Sequence, residues 1–302
     1  HMETNVVILG DCLDVLRELP DNSIDSVVTD PPYGLSKEPD IEEVLTKWLA
    51  REDYAHRGGG FMGKTWDSFV PGPSIWREVF RVLKPGGHAL VFAGTRTQDL
   101  MTISLRLAGF EIRDVIEWLY FSGFPKSMDV GKAFDKREGA ERKVIGVGNV
   151  TCKYLERGEP CRGHADSERS QNGLTYHTPI TAPVTELARK WDGWGSQLKP
   201  AHEPIILARK PLDGTICDNV ERWGTGALNI DGCRIGMSVD DREAYIKKRR
   251  SFDGVKISAL FDEKGERLIP KYSTEETIKR SEKGRFPANC VTTEPDAFFS
   301  KY

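Results

Sequence analysis

Apolar positions in the first 121 residues switch between a period of about 2 and a period of about 3.6, the signatures of strands and of helices with one buried face. NVVILG (5–10) is a short run of strand formers, CLDVLRELP (12–20) has helical spacing, and SIDSVVTD (23–30) is a second strand. The apolar end of that second strand predicts a buried, parallel position. SIWREVFRVLKPGG (74–87) reads as an amphipathic helix with a Pro-Gly-Gly stop and HALVFAG (88–94) as a third strand. TQDLMTISLRLAGF (97–110) is a further helix ending at Gly109, and it feeds a fourth strand, EIRDVIEWLYF (111–121). Strands alternating with helices predict an α/β fold built on a parallel sheet.

Past Phe121 the period is lost. The Gly-, Ser- and charge-rich stretch to about residue 178 predicts a lobe or loop insertion. EPIILARKP (203–211) restores order as a strand expected to pair antiparallel with 111–121 at one edge of the sheet. The resulting division is a core over 3–121, an insertion over 122–197, a returning edge strand over 198–211 and a C-terminal region over 212–302. That last region carries two basic clusters, IKKRR (246–250) and IKRSEKGR (278–285), which suit either a solvated face or a phosphate-contacting surface.

The 302 residues, 38% hydrophobic, can bury one large core or two modest ones. A net charge of -3 argues against a bulk polyanion binder but leaves room for a local basic groove. No apolar run approaches membrane-spanning length and the N-terminus lacks a signal-peptide pattern, so an intracellular protein is expected, with His1-Met2 an expression scar. The six cysteines lack paired spacing and point to free thiols. Cys152, Cys161 and His164, with His177 beyond, invite a zinc reading, but C-x8-C-x2-H fits no common ligand spacing, and a polar surface insertion is the competing view.

The chemistry concentrates in VVTDPPYGL (27–35). Two prolines in succession cannot continue a sheet, and each forces the preceding residue to be extended, so the chain must leave the sheet rigidly at Asp30. In a parallel sheet ligands bind beyond the carboxyl ends of the strands, where Asp30, Pro31, Pro32 and Tyr33 would lie. Taken alone, the triplet could equally be a strand-ending turn with Asp30 as a cap and Tyr33 as a packed ring.

Together with its surroundings, this turn resembles the S-adenosylmethionine-dependent DNA methyltransferases that modify amino groups, in the permuted order with the catalytic motif first. The resembling phrases are GDCLDVLRELPDNSIDSVVTDPPYGL (10–35), KPGGHALVFAGTRT (84–97), WLYFSGFPKSMDVGKA (118–133) and LKPAHEPIILARKPL (198–212). FMGKTWD (61–67), RWGTGALNIDGCRI (222–235) and GRFPANCV (284–291) look like a phage-associated branch of those enzymes, whereas 136–178 and 240–280 resemble nothing in them. The resemblance implies a Rossmann-like α/β/α sandwich with a C-terminal target-recognition region.

It also implies roles. An exocyclic amine is a poor nucleophile because its lone pair is delocalised, and acceptors that favour a pyramidal nitrogen remedy this. The Asp30 side chain and the Pro31 carbonyl would be those acceptors, the stiff proline backbone being preorganised for developing charge. Carboxylates titrate near pH ~4 and are too weak to strip the amine beforehand, so the acid orients and the proton leaves after methyl transfer. Tyr33 would stack on a base flipped out of the duplex, a gain of roughly 1–3 kcal/mol for which the ring alone suffices. Asp11 matches the acid that contacts the cofactor adenosine, with Cys12 adjoining it and Asp30 near the methyl end; a helix cap is the competing role for Asp11. Lys247, Lys248, Arg249 and Arg250 are candidate DNA contacts.

The resemblance departs at one place. The acid-Pro-Phe-x-Gly-x-Gly loop that cradles the cofactor in these enzymes occurs nowhere in the 302 residues, nor does the His-Pro-x-x-Lys-Pro phrase before it. The expectation is that half of the cofactor pocket, and the strands bearing it, come from a longer chain, a second copy or a partner chain. The expected activity is methylation of adenine N6 in double-stranded DNA, with cytosine N4 as runner-up. An inactive DNA-binding subunit and methylation of a protein or RNA nitrogen are the alternatives. A bacterial or phage-encoded, cytoplasmic, nucleoid-associated enzyme follows, with no role for a membrane.

Overall fold

The computed structural model describes residues 5–34, 38–56, 67–120, 123, 127–151, 175–252, 279 and 282–292. They form two compact units, one from residues 1–120 and 202–302 and one from 121–201.

In the first unit, α1 (Cys12–Glu18) precedes β1 (Ile24–Thr29), α2 (Ile41–Leu49), α3 (Pro73–Val82), β2 (Leu83–Phe92), α4 (Gln98–Leu107) and β3 (Glu111–Leu119). The α/β class is as expected. α3 stops at Val82, five residues short of its predicted end, because Lys84 precedes Pro85 and is held extended, which moves the start of β2 forward to Leu83. α2 lies in a stretch with no predicted element: Asp40 caps it through the Glu42 and Glu43 amides, and Val44 and Trp48, one turn apart, are buried.

α3 and α4 present apolar positions to the sheet, and the core gathers Trp48, Trp76, Val91, Met101, Leu105 and Ile206. α4 ends in Gly109, whose φ of +108° favours a residue without a Cβ.

β6 (His202–Arg209) is antiparallel to β3 as expected, but it is not an edge strand. It lies between β2 and β3 and is antiparallel to both. Its buried Pro204, Ile205, Ile206 and Ala208 explain why: a strand with so continuous an apolar stretch is stable only with neighbours on both sides. The order β1-β2-β6-β3-β7, with β7 (Cys290–Thr292) parallel to β3, leaves β6 as the reversed strand among the described residues.

Two sequence expectations fail at the other end of the sheet. β1 is parallel to β2, but it is not buried: it is an edge strand and Val28 is 67% exposed. Residues 5–10 form no strand, and Val7 and Leu9 lie fully exposed. Strand formers make a strand only when their amides and carbonyls find a neighbour, and among the described residues β1 has none on its open edge.

The C-terminal part of this unit continues with α7 (Ile216–Trp223) and α8 (Val239–Phe252). Thr215 and Asp218 form a reciprocal capping box at the start of α7, and Gly224 at φ +72° ends it. The glycines of GTGALNIDG therefore have a structural use. Asn219, fully buried, donates to the Pro85 and Thr225 carbonyls at 2.9 and 2.8 Å, which ties the end of α7 to the start of β2.

The second unit contains α5 (Val130–Arg137), the antiparallel pair β4 (Val144–Thr151) and β5 (Thr175–Thr181), and α6 (Glu186–Lys190). Asp135, fully buried, accepts from Arg142 at 2.7 Å and from the Thr185 and Val184 amides at 2.9 and 3.2 Å. Burial alone would raise its pKa, but these donors outweigh it and hold the carboxyl below the usual range. Cys152, Cys161 and His164 lie outside the described residues, as does the side chain of His177. Cys12, Cys217, Cys233 and Cys290 are free and exposed. No helix among the described residues is long and apolar enough to cross a membrane.

Candidate active site

Because β1, β2, β3 and β7 run one way and β6 the other, the carboxyl ends of four strands and the amino end of β6 share one rim. Thr29 ends β1 opposite Val91, and the chain turns away through Asp30, Pro31, Pro32 and Tyr33. Asp30 is exposed; the next three residues are half-buried. An accessible acid on a stiff, shielded turn is the arrangement that the two prolines predict.

Tyr33 is held at three points. Its amide donates to the Asp67 carboxylate at 3.0 Å, its carbonyl accepts from the Thr97 hydroxyl at 2.6 Å, and its own hydroxyl donates to the Glu203 carboxylate at 3.0 Å. Between these anchors the side chain passes the end of β2. A Cβ on Gly94 would stand 3.3 Å from the Tyr33 Cβ and 3.1 Å from the Thr97 hydroxyl, so the missing side chain at 94 is what lets the tyrosine approach. Gly34, at φ +67°, then turns the chain against the Phe69–Val70 backbone.

The rim is acidic and aromatic. Burial first, then the Asp30 and Glu203 carboxylates, push the Tyr33 phenol well above its ordinary range, so it stays protonated and can donate. Burial and Glu203 push the Tyr120 phenol up as well. Trp118 stands edge-on to Phe92 and Tyr120, each at 6.0 Å between ring centres. Two carboxylates amid aromatic faces can accept from an amine and attract a cation, while the rings offer stacking surface.

Asp11 caps α1, its Oδ1 accepting from the Leu13 amide at 2.9 Å, and Cys12 is exposed beside it. Lys247, Lys248, Arg249 and Arg250 fall within α8, where Lys247 is exposed.

Sequence reasoning did not single out Asp67, Thr97, Tyr120 or Glu203. Asp67 is 7% exposed. A buried carboxylate needs donors, and the Tyr33 amide supplies one. Glu203 had a visible signal, an acid placed directly before the apolar run PIILA.

With this geometry in place, comparison with known proteins decides the family. The family profile described as DNA methylase matches residues 24–288. The chain belongs to that family. The type II methyltransferase M.HindIII of Haemophilus influenzae is 22% identical over 240 residues, 73% of this chain and 63% of the relative. M.SfiI of Streptomyces fimbriatus is 30% identical over 145 residues, 40% of this chain and 31% of the relative. The chain thus spans less than two thirds of the length of these relatives. Among solved structures, the cytosine-N4-specific PvuII DNA methyltransferase aligns with a TM-score of 0.31 at 14% identity, over 82% of this chain and 62% of that one.

Proposed function

We propose that this DNA methylase chain carries the base-binding half of an enzyme that transfers a methyl group from S-adenosylmethionine to the N6 amine of adenine in double-stranded DNA. The observation that carries the reading is the Asp30-Pro31-Pro32-Tyr33 turn at the carboxyl end of β1, its acid exposed and its tyrosine anchored on both sides. Asp30 and the Pro31 carbonyl accept from the target amine, and the Tyr33 ring stacks on the extruded base. Cytosine N4 is the second reading, since both amines suit the same acceptors.

The residues present fit one part of the cofactor. Asp11 and Cys12 would hold its adenosine end, and the Asp30 carboxylate would favour the positive charge near its methyl group. The bound cofactor supplies an electrophilic methyl on a sulfonium. We propose that the glycine loop for its methionine end, and the strand that pairs with β1, belong to polypeptide outside these 302 residues. The open edge beside Val28 and the unpaired Val6–Leu9 run support this. The basic residues of α8 and the 121–201 unit are the candidates for phosphate and groove contacts, and the working compartment is the DNA-containing cytoplasm.

The test is direct. DNA treated with the protein and S-adenosylmethionine, digested to nucleosides and analysed by mass spectrometry, should contain N6-methyladenosine in its deoxy form. N4-methyldeoxycytidine would select the second reading, and unmodified DNA, even with the glycine-loop segment supplied, would overturn both. Calorimetric titration of S-adenosylmethionine into the 302-residue chain should show weak binding; tight stoichiometric binding would refute the proposal that half of the pocket lies elsewhere.

A further inference from the structure

We propose that Glu203 is a positioning residue for the target base: by accepting the Tyr33 hydroxyl across the glycine end of β2, it sets the plane in which that ring meets the flipped base. The inference rests on the methyltransferase reading of the turn. It goes beyond that reading because stacking by itself uses only the ring, and the hydroxyl nevertheless has a partner at 3.0 Å.

The geometry makes a tether necessary. The Asp67 and Thr97 contacts fix the backbone of Tyr33, but its side chain can still rotate about the Cα–Cβ bond. Gly94 lies close against the ring, a Cβ there standing 3.5 Å from the Tyr33 Cδ2, but it brings no side chain of its own to fix the ring's plane. Glu203 restores the constraint from the far side. It lies two residues before Ile205, the partner of Phe92, and opposite Trp118 of β3, so its backbone belongs to a strand paired on both sides. A tether from such a strand moves little, whereas a loop residue in the same role would add its own motion to the ring. Both partners are half-buried, which strengthens the bond relative to one in open water.

A merely structural contact would stabilise the fold and leave base capture alone, so the test separates the two. Methyl transfer to genomic DNA is measured for Tyr33→Phe, Glu203→Ala, Glu203→Gln and the double variant Tyr33→Phe/Glu203→Ala. Each single removal of the tether should reduce kcat/KM for DNA by about tenfold, mainly through KM, and the double variant should fall no further than either alone. Glu203→Gln retains an acceptor oxygen and should recover most of the activity. A hundredfold reduction in the double variant, or a Glu203→Ala protein with lowered melting temperature and unchanged kcat/KM, would overturn the proposal. One arm needs no DNA: the Tyr33 Cζ resonance at neutral pH, which reports the hydrogen bond made by the phenol, should move in Glu203→Ala relative to the parent. An unmoved resonance sinks the tether regardless of activity, whereas a moved resonance in a protein that methylates nothing leaves the tether standing and removes the methyltransferase reading.

Discussion

Asp67→Ala deletes the acceptor that pins the Tyr33 amide, and with it one of the three anchors of the Asp30–Tyr33 turn. A hydrogen bond to a charged acceptor contributes about 1.5–3 kcal/mol when its donor is otherwise left unpaired. Removing a carboxylate that is 7% exposed also relieves its own burial cost, which moves the net effect toward the lower half of that range. The Thr97 hydroxyl still holds the Tyr33 carbonyl, so the turn loosens without being released. A loss of about 2 kcal/mol in a unit of this size lowers the melting temperature by about 4–8 °C. Turnover should suffer more than stability implies, because misplacing a reacting group by about 1 Å can cost on the order of 100-fold.

Thermal unfolding by circular dichroism and tritiated methyl transfer to genomic DNA read the two effects separately. Asp67→Asn supplies a neutral acceptor at the same place and should lose roughly half as much stability as the alanine variant, since neutral hydrogen bonds contribute about 0.5–1.5 kcal/mol. An alanine variant that melts and turns over like the parent would refute the anchoring argument. An asparagine variant as damaged as alanine would mean that charge, not acceptor placement, is what the turn needs.

Further outcomes follow from the same site. Asp30→Ala should lower turnover by about 10²–10⁴-fold with DNA affinity changing far less, as measured by single-turnover kinetics beside equilibrium binding; near-normal turnover removes Asp30 from the chemistry. Asp11→Ala should cost about 1 kcal/mol of stability by removing the cap, while Asp11→Ser keeps the cap and deletes the carboxylate. If the serine variant binds S-adenosylmethionine as tightly as the parent in calorimetry, Asp11 is a cap and nothing more. Reversing the charge of Lys247, Lys248, Arg249 and Arg250 together should weaken DNA binding and flatten its dependence on salt, with a slope smaller by about 0.9 for each phosphate that is no longer neutralised. An unchanged slope returns that helix to solvent.

The parts of the fold that were legible in the sequence are those decided locally. α1, α3 and α4 follow from apolar spacing, α4 also from its stop at Gly109, and the exit of the chain at Asp30 follows from two prolines. What local pattern could not convey is which strand neighbours which. Among the described residues, the run 5–10 has the composition of a strand and no neighbour to pair with, and β1 has the apolar end of an interior strand yet lies at an edge. The same gap separates the two halves of the site. Asp30 and Tyr33 belong to one motif and could be read together, whereas Asp67, Thr97 and Glu203 meet Tyr33 from 34, 64 and 170 positions away. Such separations leave no trace in periodicity.

The place of Glu203 follows from the direction of one strand. At the carboxyl rim of a parallel sheet, side chains are ordinarily contributed by the residues that follow each strand, here Asp30 after β1, Gly94 after β2 and Tyr120 after β3. Those residues leave the sheet and depend on turn chemistry for their positions, which is why the first of them needs two prolines and three anchors. β6 reverses that relation. Running antiparallel between β2 and β3, it brings to the rim the residues with which it begins, so His202 and Glu203 reach the site while already paired within the sheet. A strand inserted at the edge could not do this, because Glu203 would then face solvent on one side and lie beyond the span of β2 that separates it from Tyr33. The interior position of β6, the absent side chain at Gly94 and the hydroxyl of Tyr33 are therefore one arrangement: the reversed strand supplies a rigid acid, the glycine opens the path, and the phenol crosses it.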